Sequence, residues 1–313
     1  MPTLSHGAAT ALRALLERIV TGPAPFYVDR LASIWDKAAG NPIDLASLPF
    51  TTRDDLLHDQ LAHLPYGTRR CADASTPVRT GVTGSGATLL VLTWTAADLR
   101  RERAAGARLL GSLGINPGMC VANTLPGALV TPGALLLGDV VEDIGALDIP
   151  LGAVTSAAAV RAAWTMFDRV RPDVLVADIA SAGALLADAP PAARPWWHGI
   201  IWLQTDAPSG DHPLLPAAAG FSGWQRTWLA VAEATSFVAH SCSTGCFHAD
   251  DAVIVEVVDP TASGVLPTAK LGTVALTPLG VDTAVLRYSS GLRARLVSGC
   301  PCGHGGVVLE LAS

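Results

Sequence analysis

Thr83-Gly84-Ser85-Gly86-Ala87-Thr88-Leu89-Leu90-Val91-Leu92-Thr93-Trp94-Thr95-Ala96-Ala97-Asp98 joins three structural signals in one stretch. Small and hydroxyl-bearing residues form a turn over Thr80–Gly86. The apolar run Leu89–Trp94 behind it reads as a buried strand. Thr95, with Asp98 three residues later, is a capping-box-like start for a helix running to about Leu113, and Gly114 suits its C′ position. On composition alone, such a turn either exposes backbone amides to phosphate oxygens or is an ordinary hairpin connection.

Working outward, residues 5–20 carry apolar residues at helical period, and Gly22-Pro23 ends the run. A second helix is expected over Tyr27–Ala39. A third, Arg53–Leu61, would be capped by Thr51 or Thr52, with Asp54 and Asp55 in its first turn. Downstream, strand and helix alternate: Cys120–Asn123, Ser156–Val170, Asp173–Ala177, Ser181–Leu186 and Gly199–Leu203. That order predicts an α/β layer with a mainly parallel sheet. Beyond residue 250 the helices stop. Val253–Val258, Gly272–Thr277, Val285–Tyr288, Arg293–Val297 and Val307–Leu311 read as a meander of antiparallel strands. The expected organisation is an α/β region over 1–249, opening with a helical segment (1–65), and a β-rich subdomain over 250–313.

The 313 residues are 50% apolar and 15% charged, against a usual ~25% charged, so a large core is available. A net charge of −6 argues against nucleic-acid binding, which needs a basic face. The most apolar window, Met119–Leu151, is broken by Asn123, Pro126, Pro132, Asp139, Glu142 and Asp143, so no membrane span is expected. The N-terminus lacks a basic segment followed by a long apolar one, and Arg13, Glu17 and Arg18 interrupt it. A cytoplasmic protein is expected, with its six cysteines as thiols or metal ligands. Of 21 basic residues only Lys37 and Lys270 are lysines.

Seven motifs, in order, resemble the phenylacetate–CoA ligase branch of the adenylate-forming (acyl-CoA synthetase) superfamily. Leu48–Leu56 (LPFTTRDDL) is similar to its LPFTTKxDL, Val82–Leu90 (VTGSGATLL) takes the place of its phosphate loop, and Trp94–Leu99 (WTAADL) resembles YTxxDL. Val255–Pro260 (VEVVDP), Gly272–Thr277 (GTVALT), Leu286–Tyr288 (LRY) and Cys300–Gly303 (CPCG) follow. The resemblance covers most of the chain. It implies the large N-terminal domain of such an enzyme, α/β layers followed by a small β-rich subdomain. It also implies that a carboxylate attacks the α-phosphate of ATP, and that a thiol, usually CoA, then displaces AMP.

The resemblance assigns roles residue by residue. Thr83, Gly84, Ser85, Gly86 and Thr88 would cradle phosphate, although Ala87-Thr88-Leu89 replaces the family's GK or TP ending. Glu233, in Leu229–Glu233, matches the Mg²⁺-binding Glu of YGxTE; the adenine-stacking tyrosine is lost. Leu292 stands where the family has its ribose-binding Asp, so restoring Asp would be expected to strengthen ATP binding. Arg287 is a candidate cation near the nucleotide. The family's C-terminal lid domain, which brings a catalytic lysine, has no counterpart before Ser313. Neither Lys37 nor Lys270 replaces it, and a protein partner supplying the lid is expected for full activity. The implied function is activation of a small, aryl or aliphatic, carboxylic acid as acyl-adenylate and acyl-CoA or carrier-protein thioester. The alternative is a catalytically degenerate homologue that binds an acyl group, an acyl thioester or a protein partner.

A second constellation stands on residue chemistry. Cys242 and His248 are separated by five intervening residues, and Cys300 and Cys302 flank Pro301. Residues two apart on an extended segment share a face. Three cysteines and one histidine suit tetrahedral Zn²⁺, with Cys246 or His240 as alternatives to His248. Trp196-Trp197-His198 reads as packing at the start of a strand. Ser241, beside His240, lacks an evident acidic partner for a hydrolase triad.

Overall fold

A computed structural model describes residues 4–37, 43–72, 76–127, 131–188, 197–205, 223–259 and 264–312. Side-chain caps fix where its helices begin. Ser5 caps α1 (His6–Thr21) by accepting the Ala8 amide. α2 (Pro25–Lys37) follows, and the side chain of Lys37 lies outside the described residues, as do Ala39, Trp196, Pro260 and Ser313. Thr52 and Asp55 form a reciprocal capping box on α3 (Arg53–Ala62). Two strands, β1 (Arg79–Thr83) and β2 (Leu90–Trp94), then pair antiparallel with Val82 opposite Val91. The expected turn is therefore shorter, because its first half is strand β1. Both backbone groups of Val91 on the other side are met by one amide side chain: Gln60 Nε2 donates to its carbonyl and Gln60 Oε1 accepts its N–H, each at 2.9 Å.

The Thr95–Asp98 box opens α4 (Ala96–Ser112) as the spacing predicts. Strand β3 (Cys120–Asn123), helix α5 (Ala134–Ile144), β4 (Leu147–Pro150), α6 (Ala157–Val170), β5 (Val174–Ala177), α7 (Ile179–Ala187) and β6 (Gly199–Gln204) continue the alternation. The remaining strands are β7 (Trp224–Val231), β8 (Thr235–Ser241), β9 (Phe247–Ala249), β10 (Val253–Val258), β11 (Gly272–Pro278), β12 (Tyr288–Val297) and β13 (Val308–Leu311). The sequence expectation of separate strands at Val285–Tyr288 and Arg293–Val297 gives way to the single β12. Arg287, with φ +45°, breaks extended backbone just before it.

Among the described residues, β3–β13 form one sheet in the order β10-β11-β12-β13-β9-β8-β7-β6-β5-β3-β4. It is parallel from β4 to β7 and antiparallel from β7 to β10. The ladder crosses from β8 through β9 onto β13, so the sheet does not stop near residue 250. Period-two alternation splits the parallel half into two faces. Val121, Val174, Val176 and Ile201 pack with α4 and α5; Ala122, Leu175, Ala177 and Ile200 pack with α6 and α7. Gly106 lets α4 approach closely, since a Cβ there would lie 2.6 Å from the Phe237 ring. Trp228 and Phe237 stack at 4.7 Å on that face, and burying a ring of this size contributes about 2–3 kcal/mol. No helix among the described residues is long and apolar enough to cross a membrane.

Candidate functional site

Three segments distant in sequence meet at the turn after β1. Thr51 forms a bridge to Tyr288 at the start of β12, its carbonyl accepting the Ser289 amide at 2.8 Å. This bridge carries Arg53, the first residue of α3, into the loop between β1 and β2. Its Nη2 donates to the carbonyls of Thr83 (3.0 Å) and Thr88 (2.9 Å), and its Nη1 donates to Thr83 Oγ1 (2.8 Å) and to the Glu233 carboxylate. Thr83 Oγ1 in turn donates to Glu233 Oε1 at 2.7 Å. Gly84 has φ +73°, and a Cβ there would lie 2.5 Å from Arg53 Nη2 and 2.6 Å from the Thr88 carbonyl. Only glycine leaves room for the guanidinium.

Glu233 sits in the turn between β7 and β8. The residues after it are fixed by Glu102 of α4, a fully buried carboxylate that accepts from Thr235 Oγ1 and the Ser236 amide, each at 2.9 Å. Tyr288 closes the other side. Burial, with the nearby Glu233 charge, raises its pKa far above the phenol's usual value, so the ring stays protonated. Arg69 is also buried, and burial lowers its pKa while Tyr27, Asp59, Tyr288 and Glu233 counteract. It lines a cavity of about 30 Å³ with Arg101, Asp98, Thr283 and Glu233, room for about one water.

The structure thus brings Thr83, Gly84, Thr88 and Glu233 together, with Ser85 and Gly86 at the exposed tip of the same loop. Arg287 is not brought there. Its guanidinium, 1% exposed, donates to Glu256 at 3.0 Å and to the carbonyls of Ala46 and Leu48. Leu292 packs in the core with Tyr288, Leu276 and Ala294. Arg53 is the residue the sequence reading missed. At the first position of a capped helix it resembles a solvated surface arginine, and its partner Glu233 lies 180 positions away.

The Glu233 carboxylate and the Thr83 hydroxyl offer oxygens of the kind a hard divalent cation takes. Glu233 Oε1, however, is the atom Arg53 and Thr83 already use, so a cation and Arg53 compete for it. A cavity of about 1250 Å³ between α1 and strands β10 and β13 includes none of residues 83–88, 233 or 288. Trp197 stacks on Trp164 at 5.3 Å, as core packing requires, and Ser241 Oγ accepts the Thr227 amide. Away from the loop, the ligand atoms of Cys242, His248, Cys300 and Cys302 all lie within 4.8 Å of one another.

No family model and no curated protein matches the chain. Solved structures do. An open conformation of 2-hydroxyisobutyryl-CoA ligase, in complex with 2-HIB-AMP and CoA, superposes with a TM-score of 0.81 at 20% identity, over 97% of this chain and 72% of that one. The fold is that of the adenylate-forming enzymes. An ATP-bound RpMatB-BxBclM chimera matches with a TM-score of 0.56 at 13% identity, over 79% of this chain and 49% of the other. The o-succinylbenzoate-CoA synthetase MenE of Bacillus subtilis, in complex with AMP, gives 0.52 at 13% identity, over 76% and 50%. The chain therefore spans about two thirds of the length of the first ligase and half that of the others. The shared part holds the N-terminal fold expected from the motif order.

Proposed function

We propose that the chain binds ATP at the loop 83–88 and activates a small carboxylic acid, aryl or aliphatic. The acid's oxygen bonds to the α-phosphorus as pyrophosphate leaves. A thiol sulfur, of CoA or a carrier protein, then forms the thioester as AMP leaves with the bonding electron pair and the thiol proton passes to solvent. The observation that carries this reading is the Arg53–Thr83–Glu233 network within the loop, in a fold whose solved neighbours hold ATP, AMP, acyl-AMP and CoA.

In this reading Arg53 supplies the fixed cation that the loop's own sequence lacks, and a preorganised charge of this kind is worth about 3–4 kcal/mol at a transition state. Glu233 would hold Mg²⁺, which supplies Lewis acidity at the phosphate when bound. A protein partner contributing a lysine at the α-phosphate would complete the site. The pairing of Arg53 with Glu233 also favours a second reading, an acyl- or partner-binding protein without adenylation.

ATP–pyrophosphate exchange with a panel of aryl and aliphatic acids, with and without candidate partner polypeptides, separates the two. Exchange with at least one acid, abolished in Glu233→Gln, supports activation. No exchange with any acid, together with calorimetric binding of an acyl-CoA, moves the protein to the second reading.

A further inference from the structure

We propose that Cys242, His248, Cys300 and Cys302 form a tetrahedral structural zinc site that ties the end of β8 to the loop before β13. The inference is independent of the adenylation reading.

Two tight turns build the site. Cys242-Ser243-Thr244-Gly245 closes with the Gly245 amide on the Cys242 carbonyl at 3.1 Å, and Cys300-Pro301-Cys302-Gly303 closes with the Gly303 amide on the Cys300 carbonyl at 3.0 Å. Each turn begins with cysteine and ends on a glycine at φ +83°. The Thr244 hydroxyl stands 3.0 Å from the Cys242 sulfur and 3.2 Å from the Cys300 sulfur, a polar partner beside the pair. His248, on β9, directs Nε2 at Cys302 Sγ (3.2 Å). The Cys242 and Cys300 sulfurs stand 3.5 Å apart, unbonded.

Zinc bonds of about 2.3 Å to sulfur and 2.0–2.1 Å to nitrogen imply tetrahedral edges of about 3.8 Å between sulfurs and about 3.5 Å between sulfur and nitrogen. The observed separations differ from these by about 0.3 Å, within side-chain adjustment. Cys246 and His304 fall outside the group that closes within 4.8 Å. Three thiolates and a neutral imidazole leave no ligand position for water, which marks a structural site. Binding releases the thiol protons to solvent.

Elemental analysis of the full chain, purified without added metal, is expected to give about one zinc per chain. Zinc is lost in Cys300→Ser and in Cys302→Ser and kept in Cys246→Ser. Because a ligand variant can fail to fold, the native protein is also alkylated with and without a strong chelator. Chelation is expected to expose three further cysteines, 242, 300 and 302, to modification, with Cys246 labelled in both states. Protein without zinc, zinc retained in both ligand variants, an unchanged alkylation pattern, or a Cys242–Cys300 disulfide in the purified chain would each overturn the assignment.

Discussion

Arg53 and Glu233 share one hydrogen-bonded network through the hydroxyl of Thr83, across 180 residues of sequence. The arginine therefore does two things. It closes the loop by donating to the Thr83 and Thr88 carbonyls, and it presents a fixed cation where the loop meets a carboxylate.

Arg53→Ala removes donors from four acceptor groups in a part-buried site. Stability is expected to fall by about 1–3 kcal/mol in urea unfolding. Any pyrophosphate exchange is expected to fall by roughly 10²-fold. Arg53→Lys keeps the charge but not the planar fork, so it is expected to recover only part of the rate. A full rate in Arg53→Ala would show that the cation is not used.

Leu292→Asp tests the expectation that a ribose acceptor can be restored at that position. The structure reverses it. Leu292 is fully buried among apolar side chains, so the variant loses apolar burial and gains a buried carboxylate without a partner. We expect a loss of about 3 kcal/mol or more by chemical denaturation and no gain in ATP affinity. Tighter ATP binding measured by calorimetry would contradict this.

Arg287→Ala leaves Glu256 charged and unpaired in the core, both side chains being at most 2% exposed in the pair. Breaking such a pair costs about 3–5 kcal/mol. The double variant Arg287→Met/Glu256→Leu removes both charges and is expected to recover most of that loss. A large drop in ATP affinity in a stable double variant would instead point to a nucleotide role for Arg287.

Asp148 carries a pKa pushed up to about 6 by burial, with Glu142 adding to the effect and Asn123 opposing it. Its Oδ1 has no hydrogen-bond partner. The folded state thus holds this proton more tightly than the unfolded chain, and stability falls as pH rises from about 4 to about 6. Asp148→Asn is expected to gain on the order of 1–2 kcal/mol relative to the native protein above pH ~6, with the gain shrinking toward pH ~4. Denaturation midpoints across that range measure it, and a pH-independent difference would refute the titration.

Much of the fold was legible because polar caps mark helix starts locally. Thr95 with Asp98 announced α4, and Thr51 or Thr52 ahead of Asp54 and Asp55 announced α3, where the structure uses Thr52. Helix α5 was not legible: Gly133 offers no side-chain cap, and an apolar Ala134–Val141 run has little polar stripe to reveal a period. Strands β7 and β8 were hidden because Trp224–Val231 and Thr235–Ser241 mix small, polar and aromatic residues, and their burial comes from neighbours distant in sequence. At the candidate site, the small-residue loop and Glu233 could be found from motif order, and the cysteine cluster from spacing. The Arg53 network could not, because the contact between α3 and the β7–β8 turn is created only by tertiary folding.

Gln60 has a consequence for the solution behaviour of the chain. Leu90-Val91-Leu92-Thr93-Trp94 is a short, uncharged, β-prone segment in a two-stranded ribbon, and the side of β2 away from β1 is an edge onto which another chain can add. By meeting both the N–H and the carbonyl of Val91, the Gln60 amide imitates one residue of a neighbouring strand and occupies that docking position. Gln60→Leu would preserve helix α3 while uncovering the edge. The damage should therefore appear as concentration-dependent self-association and lower soluble yield, out of proportion to any change in folding free energy.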